Sequence, residues 1–179
     1  MPKIVYVSKD KKKVGIATYN ILDLDTDILG FKTAKILSLE AENSIKKILI
    51  KKLIECFKKD NIEYATFRVN AKDLLTINIL EQEGFRIVDG YLGLVKELGK
   101  ERQRDTGIKI REARFDDIKK LQEGIGPTFI YSRFFNDPLI SKNSAVKIHK
   151  IWIENCIRGK AAEKVYVAEI NGQVIGFIA

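Results

Sequence analysis

The sequence predicts a mixed α/β (α+β) protein in which helices pack on β-sheet. Three observations predict it. Strand-like and helix-like segments alternate along nearly the whole chain, which is the pattern of helices layered on a sheet. The longest helical segments are amphipathic, with an apolar stripe for a core and lysines on the other side. Near the end, "VYVAEINGQVIGFIA" places Asn171-Gly172 between two β-rich runs, a strong local signal for a hairpin because both turn residues tolerate positive φ.

The elements follow in order. Residues 3–7 (KIVYV) and about 13–22 read as strands, and "DLDTDILGFKTAKILSL" carries a turn and then a strand to about Leu39. "AENSIKKILIKKLIECFKKDN" reads as a helix with Asn43 as N-cap and Ile45, Ile48, Leu49, Leu53 and Phe57 on one stripe. "EYATFRVN" is a strand, and "AKDLLTINILEQE" a helix stopped by Gly84. "FRIVDGYLGLVKEL" closes this half as one strand, or as two with a kink at Asp89-Gly90. The polar, aperiodic stretch 99–107 reads as a linker between a region 1–98 and a region 108–179. Past it, "IKIREA" is a strand and "RFDDIKKLQEG" a short helix ending at Gly124. "IGPTFIYSRFFNDPLIS" is an aromatic-rich loop or broken helix. "NSAVKIHKIWIENCIRG" is a helix with Ala145, Ile148, Trp152 and Cys156 on one face, and the hairpin completes the series.

Composition narrows the function. The 179 residues are 45% apolar and 31% charged, the balance of a globular domain with a real core. No run of eighteen apolar residues occurs, and the strand-then-lysine start is the reverse of a signal peptide, so the expectation is a cytoplasmic protein. Cys56 and Cys156 sit in helix-periodic segments and are expected as small hydrophobes, and His149 lacks the partners of a zinc site. The net charge of +8 raises nucleic acid as a partner, but the lysines at 46, 47, 51, 52, 58 and 59 alternate with apolar residues as a solvated helix face does. No recognised nucleic-acid, P-loop, dinucleotide or serine-hydrolase motif accompanies them.

Taken together, "IKIREARFDDIKKLQ", "SRFFNDPLI", "IWIENCIRG" and "VYVAEINGQVIGFIA" resemble the opening of a GNAT-superfamily N-acetyltransferase. The branch they resemble is the amino sugar nucleotide acetyltransferases of the dTDP-fucosamine type. "LDTDILGFKTAKI" and "FRVNAKDLLTINILEQEGFRIVDGYLGLVKEL" resemble, more faintly, a GNAT-like half that precedes the working one in that branch. The resemblance implies a degenerate N-terminal GNAT-like half over 1–98 and the start of a second GNAT domain over 108–179. It implies acetyl-CoA as co-substrate and a small-molecule amine, such as that of a sugar nucleotide, as acceptor. The family holds the pyrophosphate of acetyl-CoA on a glycine-bearing loop at a helix N-terminus. At that place region 1–98 has "LSLEAENSIKKILIKKL", without glycine and with Glu40 and Glu42 where phosphates would sit. In region 108–179 the corresponding strand and loop would follow Ala179. The expectation is an inactive N-terminal portion of a longer enzyme, lacking about sixty residues and any cofactor-binding residue of its own.

The resemblance also places "YSRFFNDP" against the acceptor. Arg133 would pair with a phosphate through its planar fork, and Tyr131, Phe134 and Phe135 would stack on a base or sugar. The alternative is that the phenylalanines plug the core and Arg133 is a surface charge. Glu169, on the strand before the hairpin turn, is the candidate general base, against the alternative of a solvent-facing strand residue. The function expected is therefore acetyl transfer from acetyl-CoA to a primary amine. The alternatives are a non-catalytic GNAT-like binding module and a basic nucleic-acid-binding domain. An open apolar strand at the chain end would favour pairing into a homodimer.

Overall fold

The protein was analysed as a computed structural model that describes residues 1–97, 99 and 107–179, in two compact units, Met1–Ile87 and Val88–Ala179. Each is a sheet with helices packed on it, the mixed α/β architecture that the alternation of elements predicts. The linker expected at 99–107 lies outside the described residues, apart from Gly99 and Gly107 at its ends.

Unit 1 runs β1 (Lys3–Lys9), β2 (Lys12–Ile21), α1 (Asp23–Leu29), β3 (Thr33–Ala41), α2 (Asn43–Lys59), β4 (Tyr64–Phe67) and α3 (Leu74–Gln82). The strands lie in the order β1-β2-β3-β4. The first two pairings are antiparallel, while β3 and β4 are parallel, with α2 as the crossover between them. Alternation puts Val5, Ala17, Tyr19, Ala34 and Ile36 on the face that α2 covers with Leu49, Leu53 and Phe57. Gly15 allows α2 to settle close, because a Cβ there would lie 3.1 Å from Ala41 Cβ and 3.2 Å from Ile45 Cγ2.

Four expectations change here. Residues 23–29 form a helix rather than a turn, with Asp23 and Asp25 favourably placed in its first turn. Asn43 is the first helical residue of α2, and Glu42 is the N-cap. Ile48 is 53% exposed and Ile50 fully buried, because α2 faces α3 as well as the sheet: Ile50 packs with Ile79 and Leu80. The segment 85–97, expected as strand, has neither helix nor ladder; Phe85 joins the core, but Tyr91, Leu92, Leu94 and Val95 are exposed. Alternating apolar residues make a strand only where a neighbouring strand takes up the backbone groups.

Unit 2 runs β5 (Lys109–Glu112), α4 (Asp117–Thr128), α5 (Arg133–Asn136), α6 (Lys142–Ile157), β6 (Tyr166–Ile170) and β7 (Gln173–Ile178). Its sheet is antiparallel in the order β5-β6-β7, and Asn171 and Gly172 both take positive φ in the hairpin turn. Ser141 caps α6 through the amide of Ser144, and Gly159 follows its end in the left-handed region. The core joins Leu121 of α4, Ile153 and Cys156 of α6, and Val165 and Val167 at β6. Among the described residues no helix is long and apolar enough to cross a membrane.

Candidate functional site

In unit 2 one charged side chain ties the first strand to the first helix. Arg111 on β5 donates two bonds to Asp117, Nη1 to Oδ2 at 2.7 Å and Nη2 to Oδ1 at 2.9 Å. Its Nε donates to Glu169 Oε2 on β6 at 2.7 Å. Asp117 also accepts the Arg114 amide at 2.8 Å, so this buried carboxylate caps the turn into α4. Arg111 holds Asp117 down at about 2 despite burial, and holds the Glu169 carboxyl below its ordinary range. Glu169 is thus not the solvent-facing residue of the sequence alternative. It is a carboxylate committed to a guanidinium, the opposite of the raised proton affinity that suits a general base near neutral pH.

The second assembly is the segment between α4 and α6. Of the residues singled out there, the structure separates two kinds. Phe134 and Phe135 turn onto His149 of α6, with centroids 5.5 and 5.8 Å from the imidazole. Phe129 stacks on the same imidazole at 4.6 Å, and contacts Trp152 and Phe177 at 5.9 and 6.2 Å. Tyr131, by contrast, is 82% exposed, and the Arg133 guanidinium lies 3.9 Å over the Phe134 ring. The phenylalanines therefore build the wall, Tyr131 stands exposed beside it, and Arg133 is half-buried against it with Nη1 enclosed.

His149, which the sequence offered only as a lone imidazole, is the centre of this wall. It is buried, and its Nδ1 lies 2.7 Å from the Ala145 carbonyl, one helical turn back. A carbonyl only accepts, so Nδ1 carries the proton. Burial lowers the proton affinity of the ring and the Arg133 charge lowers it further, against the opposing bond to Ala145. No sequence pattern marks this site beyond the density of aromatic residues on either side of it.

The fit of acetyl-CoA can be tested at the start of α2, where β3 hands over to a helix beside a parallel strand. The Ile45 and Lys46 amides are already taken by the Glu42 carbonyl, at 2.9 and 3.1 Å. Glu40 and Glu42 are exposed there, and the Ile45 side chain covers Gly15. Lys46, the nearest cation on the helix, is bound to both oxygens of Asp73 at 2.9 and 2.8 Å. Two exposed carboxylates beside this helix start do not fit a pyrophosphate. Unit 2 has no parallel strand pair among its described residues and offers no equivalent place. Elsewhere in unit 1, Asp60 gathers Tyr19 Oη at 2.6 Å and Lys3 Nζ at 2.7 Å beside a shallow hollow that Cys56 and Lys59 help to line. Burial and Asp60 raise the Tyr19 hydroxyl, which stays a donor. No group of three His, Cys, Asp or Glu residues is placed to hold a metal among the described residues.

No protein-family model matches the chain. Over 169 residues it is 26% identical to the spore coat polysaccharide biosynthesis protein SpsD of Bacillus subtilis (strain 168), covering 92% of this chain and 57% of that protein. The chain thus spans little more than half the length of the curated relative it matches. The solved structures it partly resembles include acetyltransferases. One is an aminoglycoside acetyltransferase from an uncultured soil metagenomic sample, at 14% identity and a TM-score of 0.42, covering 54% of this chain and 65% of that one. Another is the ribosomal-protein-alanine N-acetyltransferase of Brucella melitensis biovar Abortus 2308, at 14% identity and a TM-score of 0.41, covering 55% and 70%.

Proposed function

We propose that unit 2 is the acceptor side of an N-acetyltransferase that moves acetyl from acetyl-CoA to a primary amine, the amine of an amino sugar nucleotide. The observation that carries this reading is the division of labour in the segment before α6. Phe129, Phe134 and Phe135 form a fixed wall, Tyr131 is exposed two residues before Arg133, and the Arg133 guanidinium lies over Phe134. A sugar nucleotide has a planar base and a diphosphate, and a guanidinium suits phosphate oxygens in both shape and charge. The similarity to a polysaccharide biosynthesis protein supports a sugar-bearing acceptor.

In this reading Arg133 binds the diphosphate, Tyr131 orients the base or sugar, and Glu169 aligns β6 through Arg111 rather than taking a proton. Unit 1 is a GNAT-like half without cofactor chemistry, consistent with the carboxylates at the start of α2. Titration calorimetry of the chain with a dTDP-linked amino sugar tests the assignment. Binding is expected without acetyl-CoA, and Arg133→Ala is expected to weaken it roughly tenfold or more, the worth of a charged hydrogen bond. Acetyl-CoA added to the complex is expected to release no free thiol. Binding that is indifferent to Arg133 would overturn the acceptor reading.

The acidic start of α2 favours a second reading, a GNAT-like module that binds its ligand without chemistry. It makes the same binding prediction. It parts from the first if this sequence joined to the remaining length of an SpsD-like protein still releases no thiol.

A further inference from the structure

The geometry points to His149 as the positioning residue of this segment: its neutral imidazole, bonded at Nδ1 to Ala145 and enclosed by three phenylalanines, fixes the stretch that carries Tyr131 and Arg133. The latch itself stands on distances; that the stretch meets an acceptor rests on the reading proposed above.

Three parts of unit 2 meet at this ring. From α6 comes the Ala145 carbonyl, 2.7 Å away. From the stretch after α4 comes Phe129, stacked at 4.6 Å with 28° between the planes. From α5 come Phe134, edge-on at 89°, and Phe135, tilted at 35°. Phe129 carries the connection on to Trp152 and to Phe177 of β7. A plain hydrophobe would fill the same volume but could not hold its ring plane by a bond to the helix, and orientation is what the stacked and edge-on contacts require.

The same construction makes the latch sensitive to a proton. Of the charged groups on the packed elements, Arg133 of α5 acts on the imidazole, and with the same sign as an imidazolium. The Phe129 and Phe177 sides are apolar, and α6 offers a backbone carbonyl. Protonation therefore places a second positive charge beside Arg133 inside a ring of phenyl groups. The native state favours the neutral ring and the unfolded chain does not. The stabilisation is full above the ordinary histidine value of 6.5 and is lost as pH falls through the lowered value in the fold. The His149 variants separate this effect from the titration of carboxylates.

Trp152 is the chain's single tryptophan and meets Phe129 edge-on, so it reports on the latch directly. The experiment follows Trp152 fluorescence of the full chain from about pH 8 to about pH 5 in the native protein, His149→Phe and His149→Gln, with far-UV circular dichroism alongside. The native protein is expected to show one transition below 6.5 with its helix content unchanged, and both variants none. The affinity for a dTDP-linked neutral sugar, whose diphosphate does not titrate over this range, is expected to be about twofold weaker at the midpoint, where half the molecules keep the fixed stretch, and to be independent of pH in whichever variant folds. A fluorescence transition with no binding of that sugar nucleotide at any pH keeps the latch and removes the acceptor reading. Binding with no His149-dependent transition removes the latch and keeps the acceptor reading. A transition that coincides with loss of helix also overturns the latch, since it is then global unfolding.

Discussion

Unit 1 and unit 2 both lay helices on a sheet, yet they finish the ends of those helices differently. In unit 1 the finish is ionic and closed: Asp73 accepts the Thr76 amide and hydroxyl at the start of α3 and takes the Lys46 ammonium from α2. The neighbouring start of α2 has Glu42 as its N-cap residue, whose side chain makes no bond to the helix amides. In unit 2 the ionic contacts include the Arg111 knot and the more exposed Arg158–Glu154 and Lys164–Glu112 pairs, while the stretch before α6 is held by rings around one buried imidazole. A carboxylate that caps a helix has spent its hydrogen bonds on the backbone and has little left for a ligand. A wall of rings leaves Tyr131 exposed and seats the Arg133 guanidinium over Phe134. On the reading proposed above, the difference separates a half that supports from a half that binds.

Two core truncations should widen the comparison most. Leu53 is 1% exposed in unit 1 and Ile153 is fully buried in unit 2, so Leu53→Ala and Ile153→Ala are each expected to cost about 2–5 kcal/mol. Guanidinium melts read by Trp152 fluorescence should register Ile153→Ala fully, because Trp152 lies beside it on α6. Leu53→Ala should appear mainly in the helix signal. If Leu53→Ala shifted both signals equally, the units would unfold as one block and the comparison of separate finishes would lose its meaning.

Next in size is the Arg111 knot, tested through pH. The Asp117 carboxyl is held at about 2 against an ordinary 3.8, so its contribution is fully present above the ordinary value and disappears as pH falls towards 2. Asp60 and Asp73 in unit 1 are lowered in the same direction, so both units should weaken in acid below the carboxylate range. Asp117→Asn should remove part of that dependence from the Trp152-detected melt and cost about 1 kcal/mol at neutral pH, after screening by water is allowed for. An unchanged acid profile in Asp117→Asn would mean that the knot does not stabilise unit 2.

The cap of α3 comes after it. Asp73→Ala removes the bonds to Thr76 and leaves Lys46 without its carboxylate, at an expected cost of about 1 kcal/mol, typical of a lost N-cap. The far-UV signal should shift and the Trp152-detected melt should not. A shift confined to Trp152 would assign the cap's effect to the wrong unit.

Much of this architecture was legible because it is local. Asn171-Gly172 dictates its hairpin through backbone conformation alone, and Gly84 and Gly159 mark helix ends for the same reason. The site was legible only in part. Tyr131 is exposed and Arg133 is half-buried over the Phe134 ring, while the phenylalanines beside them are taken up by His149, a residue more than a dozen positions along the chain. Glu169 could not be assigned without its cross-strand partner, since Arg111 lies 58 residues away and determines its charge state. The strand expected over 85–97 failed for a related reason: alternation describes one strand, and a ladder needs two.

The smallest predicted effect tests where periodicity misleads. A 3.6-residue stripe through Leu49, Leu53 and Phe57 includes Ile48 as naturally as Ile50. The stripe is wider than one face because α2 is gripped by the sheet on one side and by Ile79 and Leu80 on another, and that second grip selects Ile50. Ile48→Ala should therefore change stability by less than about 0.5 kcal/mol, because alanine's helix propensity offsets part of the lost contact. Ile50→Ala, one turn of reasoning away and two residues along, should cost about 2–5 kcal/mol in the same denaturant melt. Equal costs at the two positions would mean that α3 does not pack on α2 as described, and that the closed, supporting character of unit 1 has lost one of its two grips.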